Sequence, residues 1–319
     1  MIALLLLPLV LPFVLPPLAR RVVHQVRPAI ALWAVTSAAS ALAIGVVACL
    51  GVLLIPLALT VPPVAALAEL IQPLQAGPGF LVMAVSALAA GALVVTSVTG
   101  VRRAWSEVRR FRAAHGDVAG LPEAGGLCVL DDPRPDAYAL PGTRRRPGRI
   151  VVTTGMLRAL APAEREPLLA HERAHLAGRH HLFLAAAQLA GWCHPALAAV
   201  VPQVSFAAER VADEAAARAA GDRALTAQAV GRAALAVTRG RERIERPMVA
   251  RGVVSGPVPA RVKALLAQAP TRRLTPVLVA VTLLCGTAAA SSLTGAIWLH
   301  DGVEVAQGED PDHCTPSLP

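Results

Sequence analysis

The segment His171-Glu172-Arg173-Ala174-His175 carries the strongest chemical signal in this 319-residue chain. On a helix, residues four apart project from one face, so His171 and His175 can present two imidazoles to a single Zn²⁺. Glu172 is rotated away from that pair, where its carboxylate can take a proton from a water activated by the metal. One short segment thus supplies two ligands and a general base, the set that makes a nucleophile for an amide carbonyl near neutral pH. With nine histidines in the chain, chance gives roughly 0.01 such matches. Leu168, Leu169, Ala170, Ala174 and Leu176 add the apolar flank that burying the site requires. One zinc per chain is expected.

Two residues compete for the third ligand position. His171, His175, Gly178 and His181 spell H-E-x-x-H-x-x-G-x-x-H, the metzincin spacing for a third histidine. Against it, His180 and His181 run straight into apolar sequence, and no Met-turn follows. The other candidate is Glu209, which shares a helix face with Asp213 at i and i+4. Glu209 could complete a His₂Glu set, with Asp213 orienting a ligand histidine from behind. On spacing alone, the two acids fit a solvated helix face equally well.

The helix bearing the motif should begin at Pro162, with acids in its first turn and Pro167 kinking or restarting it. Gly126 to Asp131 and Arg149 to Thr154 read as short strands bounded by Gly, Pro and Asp, and Pro141-Gly142 as a turn. Helices should continue from Ser205 to Gly240. A looser connection marked by Pro247, Gly252, Gly256, Pro257 and Pro259 follows.

Around this domain the chain is apolar: 55% of residues are hydrophobic, 16% charged and 3% aromatic. Such a composition fits aliphatic helical membrane spans. Ile2 to Ala19, Ala29 to Thr60, Phe80 to Val101 and Thr275 to Leu299 are uncharged, and the last three exceed the ~20 residues a helix needs to cross a bilayer. Arginines flank the first and third inter-span boundaries: three from Arg20 to Arg27 and five from Arg102 to Arg112. Four basic residues precede the last span, between Arg261 and Arg273, whereas Val61 to Gly79 and the final tail have none. Because Lys and Arg are retained on the cytoplasmic side, both termini are expected outside a multi-pass protein of the cell membrane. The domains are then a three-span region (1–101), a cytosolic zinc metallopeptidase domain (102–273), a fourth span (274–299) and a short external tail (300–319). Leu182 to Val204 is apolar enough to cross as well, but crossing would separate Glu209 from His175. It is expected to be buried or re-entrant, with His194 capping or packing.

The net charge is +9, and 27 of the 30 Lys and Arg residues fall between positions 101 and 273. Beside membrane spans this surplus is read as attraction to anionic lipid and topology setting, with no nucleic-acid site. The five cysteines are scattered and form no metal or disulfide pattern.

The runs Asp131 to Gly142, Ile150 to Leu157, Leu169 to Leu176 and Glu209 to Asp213 together resemble the BlaR/MecR-type antirepressor membrane metallopeptidases, relatives of the heat-shock protease HtpX and the CAAX prenyl protease. The resemblance implies a mainly α integral membrane protein: four transmembrane helices with an inserted gluzincin-like α+β zinc peptidase domain. It implies His171, His175 and Glu209 as zinc ligands and Glu172 as base. It further implies that Ala137, Tyr138, Ala139 and Leu140 line the cleft, where an extended substrate could add as a strand. The implied partners are the lipid bilayer and a protein or peptide substrate, either a cytosolic transcriptional repressor or the chain itself. Asp301 to Pro319 is too short for the penicillin-binding sensor domain of that family, so a β-lactam signal is not expected.

Overall fold

The computed structural model describes residues 2–58, 79–143, 146–239 and 257–267, with isolated positions at 279, 283 and 286. The expected fourth span and external tail lie outside the described residues except at those three positions, as do Cys285 and Cys314.

The described chain is mainly helical with one small sheet. The proline-rich start does not end at Ala19. It forms α1 (Ile2–Val10), a 3-10 turn at Leu11–Phe13 and α2 (Leu15–Gln25), with a bend of 43° between the two halves. Prolines at 8, 12, 16 and 17 remove backbone donors, which breaks the helix there without ending the apolar run. α3 (Pro28–Leu53) and α4 (Ile55–Ala58) follow, then α5 (Gly79–Asp117), whose polar half projects sixteen residues past the expected span end at Val101. Two helices, Pro28–Ala58 and Phe80–Asp117, are long and apolar enough to cross a membrane, or three if the bent pair counts as one span. Ile30, Trp33, Ile44, Val47, Phe80 and Leu88 are exposed on them; in a bilayer such residues face lipid.

After α5 the period of the pattern changes from helix to strand. β1 (Glu123–Ala124), β2 (Leu127–Leu130), β3 (Ala137–Leu140) and β4 (Arg149–Thr153) form a sheet of order β1-β2-β4-β3. β2 and β4 are parallel, and the outer pairs antiparallel. β3 is a terminal strand of that order, yet all four of its residues are buried. Alternation splits its faces: Tyr138 and Leu140 pack with Ala114 and Val118 of the α5 region, while Ala137 packs with Leu168. The Thr153 hydroxyl donates to the Arg134 carbonyl (2.7 Å) and accepts from the Asp136 and Met156 amides. This ties the Asp131–Asp136 loop to the start of α6 (Thr154–Ala159).

α7 (Pro162–Ala177) carries the histidine motif, and Pro167 is accommodated inside it. α8 (His180–Cys193), α9 (Pro195–Ala198) and α10 (Val201–Ala220) turn the chain back on itself, and α11 (Arg223–Arg239) packs on α7. His194 caps α9 by accepting from the Ala196 amide at 3.3 Å, as expected of it. The inner faces of α2, α3, α8 and α10 share one apolar core that includes Leu15, Leu42, Leu184, Leu197 and Val204. Pro247, Gly252 and Gly256 of the expected looser connection lie outside the described residues; from Pro257 the chain forms α12 (Val258–Leu266), which packs on α11 and α10. There a correction follows: Arg261, taken as a loop charge that helps set topology, is fully buried.

Candidate metal centre

α7 starts cleanly because Pro162 occupies its first turn and Glu164 Oε2 accepts the Ala161 amide at 2.9 Å. Glu164 is itself buried and ion-paired with Arg232 of α11 at 3.2 Å, which fixes the helix against its neighbour. Two turns later His171 and His175 point inward, 1% and 7% exposed. α10 crosses α7 and brings Glu209 and Asp213, 3% and 1% exposed, to the same place. The solvated-face reading of these two acids is therefore excluded by their burial.

The Nε2 atoms of His171 and His175 are 3.1 Å apart. Glu209 Oε2 lies 3.4 Å from His171 Nε2, and Oε1 lies 3.5 Å from His175 Nε2. A tetrahedral centre with zinc–ligand bonds of ~2.0–2.1 Å needs ligand atoms about 3.3–3.4 Å apart. His171, His175 and Glu209 thus fit one ion, and they form the sole group of metal-competent side chains among the described residues. His181 is not part of it. That histidine is half-buried and lines a small cleft with Ala139, Pro141, His175, Leu176, His180 and Leu184.

Each ligand histidine is held from behind. His171 Nδ1 lies 3.0 Å from Asp213 Oδ1, and His175 Nδ1 lies 2.8 Å from His180 Nδ1. An Nδ1–H engaged in this way leaves Nε2 free as a lone-pair donor. Gly178 makes the second contact possible: a Cβ there would sit 2.5 Å from His180 Nε2. Gly178 has an ordinary φ of −78°, and the left-handed residue that turns the chain is Arg179, at φ 48°. The glycine of the H-x-x-G-x-x-H string accordingly provides space for a ring.

Behind the acids stands Arg261. Its Nη2 and Nε reach Asp213 at 2.6 and 2.8 Å, and its Nη1 lies 2.8 Å from Glu209 Oε2. The planar fork suits such a two-carboxylate grip. Arg261 and His180 are the residues that sequence reasoning missed. Arg261 did leave a signal, since it shares the apolar face of Val258 and Leu265 on a short amphipathic helix. His180, five residues from His175 across a helix break, left none.

The electrostatics follow from this packing. Burial pulls the His171 imidazole down, but the Asp213 and Glu209 carboxylates more than reverse it, to about 9. Burial and the neighbouring His171, His180 and Arg261 charges push His175 well below the usual histidine range. Burial raises Asp213, yet Arg261 and His171 overcome it and hold the group at about 2. Glu172 is fully buried, and no side chain among the described residues hydrogen-bonds either carboxylate oxygen. Burial lifts it to about 7; the Glu209 charge adds to this, while His171, the Ala139 backbone and Arg261 oppose it.

Residues 106–243 match the family model of Peptidase family M48. That segment is similar to the M48 metallopeptidases. The matched segment covers the polar end of α5, the sheet and α6 to α11, so all five of His171, Glu172, His175, Glu209 and Asp213 fall inside it. α12 and Arg261 lie beyond its end. No solved structure matches the chain.

Proposed function

We propose that the chain is a membrane-bound zinc endopeptidase of the M48 type, acting on cytosolic or membrane-apposed proteins. The observation that carries this reading is the buried, tetrahedron-sized triangle of His171, His175 and Glu209 with a buried Glu172 on the same helix. A bound zinc supplies Lewis-acid activation of water and of the scissile carbonyl. His171 and His175 would hold the ion through Nε2, and Glu209 through its carboxylate. Asp213 and His180 fix the imidazole orientations, and Arg261 balances the two buried acids. Glu172, buried on the same helix, would accept the proton of the attacking water and return it to the leaving amine.

The substrate-strand role of Ala137 to Leu140 is supported by Ala139, which lines the cleft beside His175. We place the protein among BlaR/MecR-type regulators, with a transcriptional repressor or the chain itself as substrate and with both termini outside the membrane. The motif runs named above support that placement. A housekeeping protease of membrane proteins shares the same chemistry. A non-catalytic transducer is disfavoured by Glu172, whose burial beside two histidines serves no binding purpose. The test is Glu172→Gln: zinc content and melting should persist while peptide cleavage falls by about 10²–10⁴-fold. Undiminished cleavage would remove Glu172 from the mechanism.

A further inference from the structure

The chain from His180 to Ala208 contains no Asp, Glu, Lys or Arg. It folds as two antiparallel limbs, α8 and the first half of α10, joined through α9. Its exposed residues are Leu182, Leu189, Pro195, Ala198, Ala199 and Pro202, all of them apolar. Gln188 and Gln203, its two amides, are both half-buried. A hairpin in water presents charged and polar groups outward; here every fully exposed residue is apolar and no charge is present, and the inner face completes the core of α2 and α3.

Two ring contacts set its depth. At the open end Phe183 stacks edge-on against Trp33 at 4.7 Å, and at the tip His194 meets Phe13 at 5.2 Å. Trp33 lies six residues beyond Arg27 and therefore near the headgroup level marked by Arg20 and Arg21, where aromatic residues belong. Phe13 lies seven residues past Arg20, about 10 Å along the helix. Along α8, Phe183 and His194 are eleven residues apart, about 16 Å. The two lengths bracket the ~15 Å of one leaflet of the hydrocarbon core.

We infer that residues 182–204 form a re-entrant hairpin that dips to about the bilayer midplane with its outer face against lipid, anchoring the metal centre at the membrane surface. The exposed face continues that of α3, where Ile30, Trp33 and Ile44 are also bare. At fourteen residues α8 is too short to cross, and its backbone groups are satisfied within the helices, as lipid demands. The cleft beside His175 is lined by His180, His181 and Leu184, the first turns of the hairpin, so its mouth opens at the interface. The inference rests on the membrane part of the proposed reading and not on catalysis.

The test uses the full chain in phospholipid vesicles. Cys193 is kept, Cys49, Cys128, Cys285 and Cys314 are replaced by alanine, and a spin label is read against dissolved oxygen and a water-soluble nickel chelate. Separate labels go at Leu182→Cys and Leu189→Cys, each in a chain in which Cys193 is replaced by alanine as well. The 182 label should sit near the headgroups, the 189 label about 10 Å deeper, and the 193 label deeper still, accessible to oxygen and shielded from nickel. Nickel access at 189 and 193 would overturn the inference. So would labelling of Ala199→Cys by an impermeant thiol reagent from the face opposite to the one that reaches Arg112→Cys, since the segment would then cross. Should the substituted chains fail to fold, a photoactivatable phospholipid applied to the unaltered protein should leave adducts on 182–204; their absence there, with adducts on α3, refutes the hairpin. Introducing Glu172→Gln changes none of these readings, so loss of the peptidase assignment and loss of the hairpin are separable.

Discussion

Replacing Arg261 by methionine removes the counter-charge of two buried carboxylates at once. Glu209 and Asp213 are 3% and 1% exposed, so neither can turn to water. Removing one partner of a buried ion pair costs about 3–5 kcal/mol, because the remaining charge is left uncompensated. Here one guanidinium serves both acids through contacts of 2.6, 2.8 and 2.8 Å, which argues for the upper end. At roughly 2–4 °C per kcal/mol for a domain of this size, metal-free Arg261→Met should melt on the order of 10–20 °C below the parent. Arg261→Lys keeps a charge but not the fork, and should fall between them. The assay is thermal unfolding of the detergent-solubilised protein with a chelator present. A metal-free Arg261→Met that melts within about 2 °C of the parent would show that the three groups do not meet as charged partners.

Further outcomes follow from the same site. His180→Ala removes the group behind His175 Nδ1 and should weaken zinc binding about 10–100-fold, read by competition with a chromogenic chelator; unchanged affinity would reduce His180 to packing. Glu209→Ala should lose zinc while His181→Ala retains it, and the reverse pattern would move the third ligand to His181. Gly155→Ala places a methyl group onto the Pro133 carbonyl and should cost about 1–3 kcal/mol in thermal unfolding without altering zinc stoichiometry; a neutral effect would mean that the 131–136 loop does not lie against α6.

The motif itself was legible because its spacing matches the helical period and its residue types are rare in this composition. The strands at 127–130 and 149–153 were legible as short apolar runs between turn residues, and the second and third candidate spans as long uncharged stretches. Helix ends were read less well. α2 runs on through Arg20 and Arg21 to Gln25, since arginines continue a helix readily once it emerges from an apolar layer, and α5 runs on through five arginines for the same reason. The burial of Glu209 and Asp213 was open from spacing, because i and i+4 acids suit a wet face as well as a site. What decides it is the crossing of α10 over α7, together with an arginine nearly fifty residues away. Arg261 was misread because loop charges were counted by sign, whereas its place on the apolar face of α12 is what matters. His180 depends on a left-handed Arg179 and a missing Cβ at Gly178, neither of which a helical wheel displays.

The most direct check on the metal centre is zinc K-edge X-ray absorption of the purified, membrane-extracted protein, combined with its metal content. One zinc per chain with two imidazoles and carboxylate or water oxygens in its first coordination sphere is predicted. A third imidazole, or a protein that holds no zinc while fully folded, would contradict the assignment of His171, His175 and Glu209.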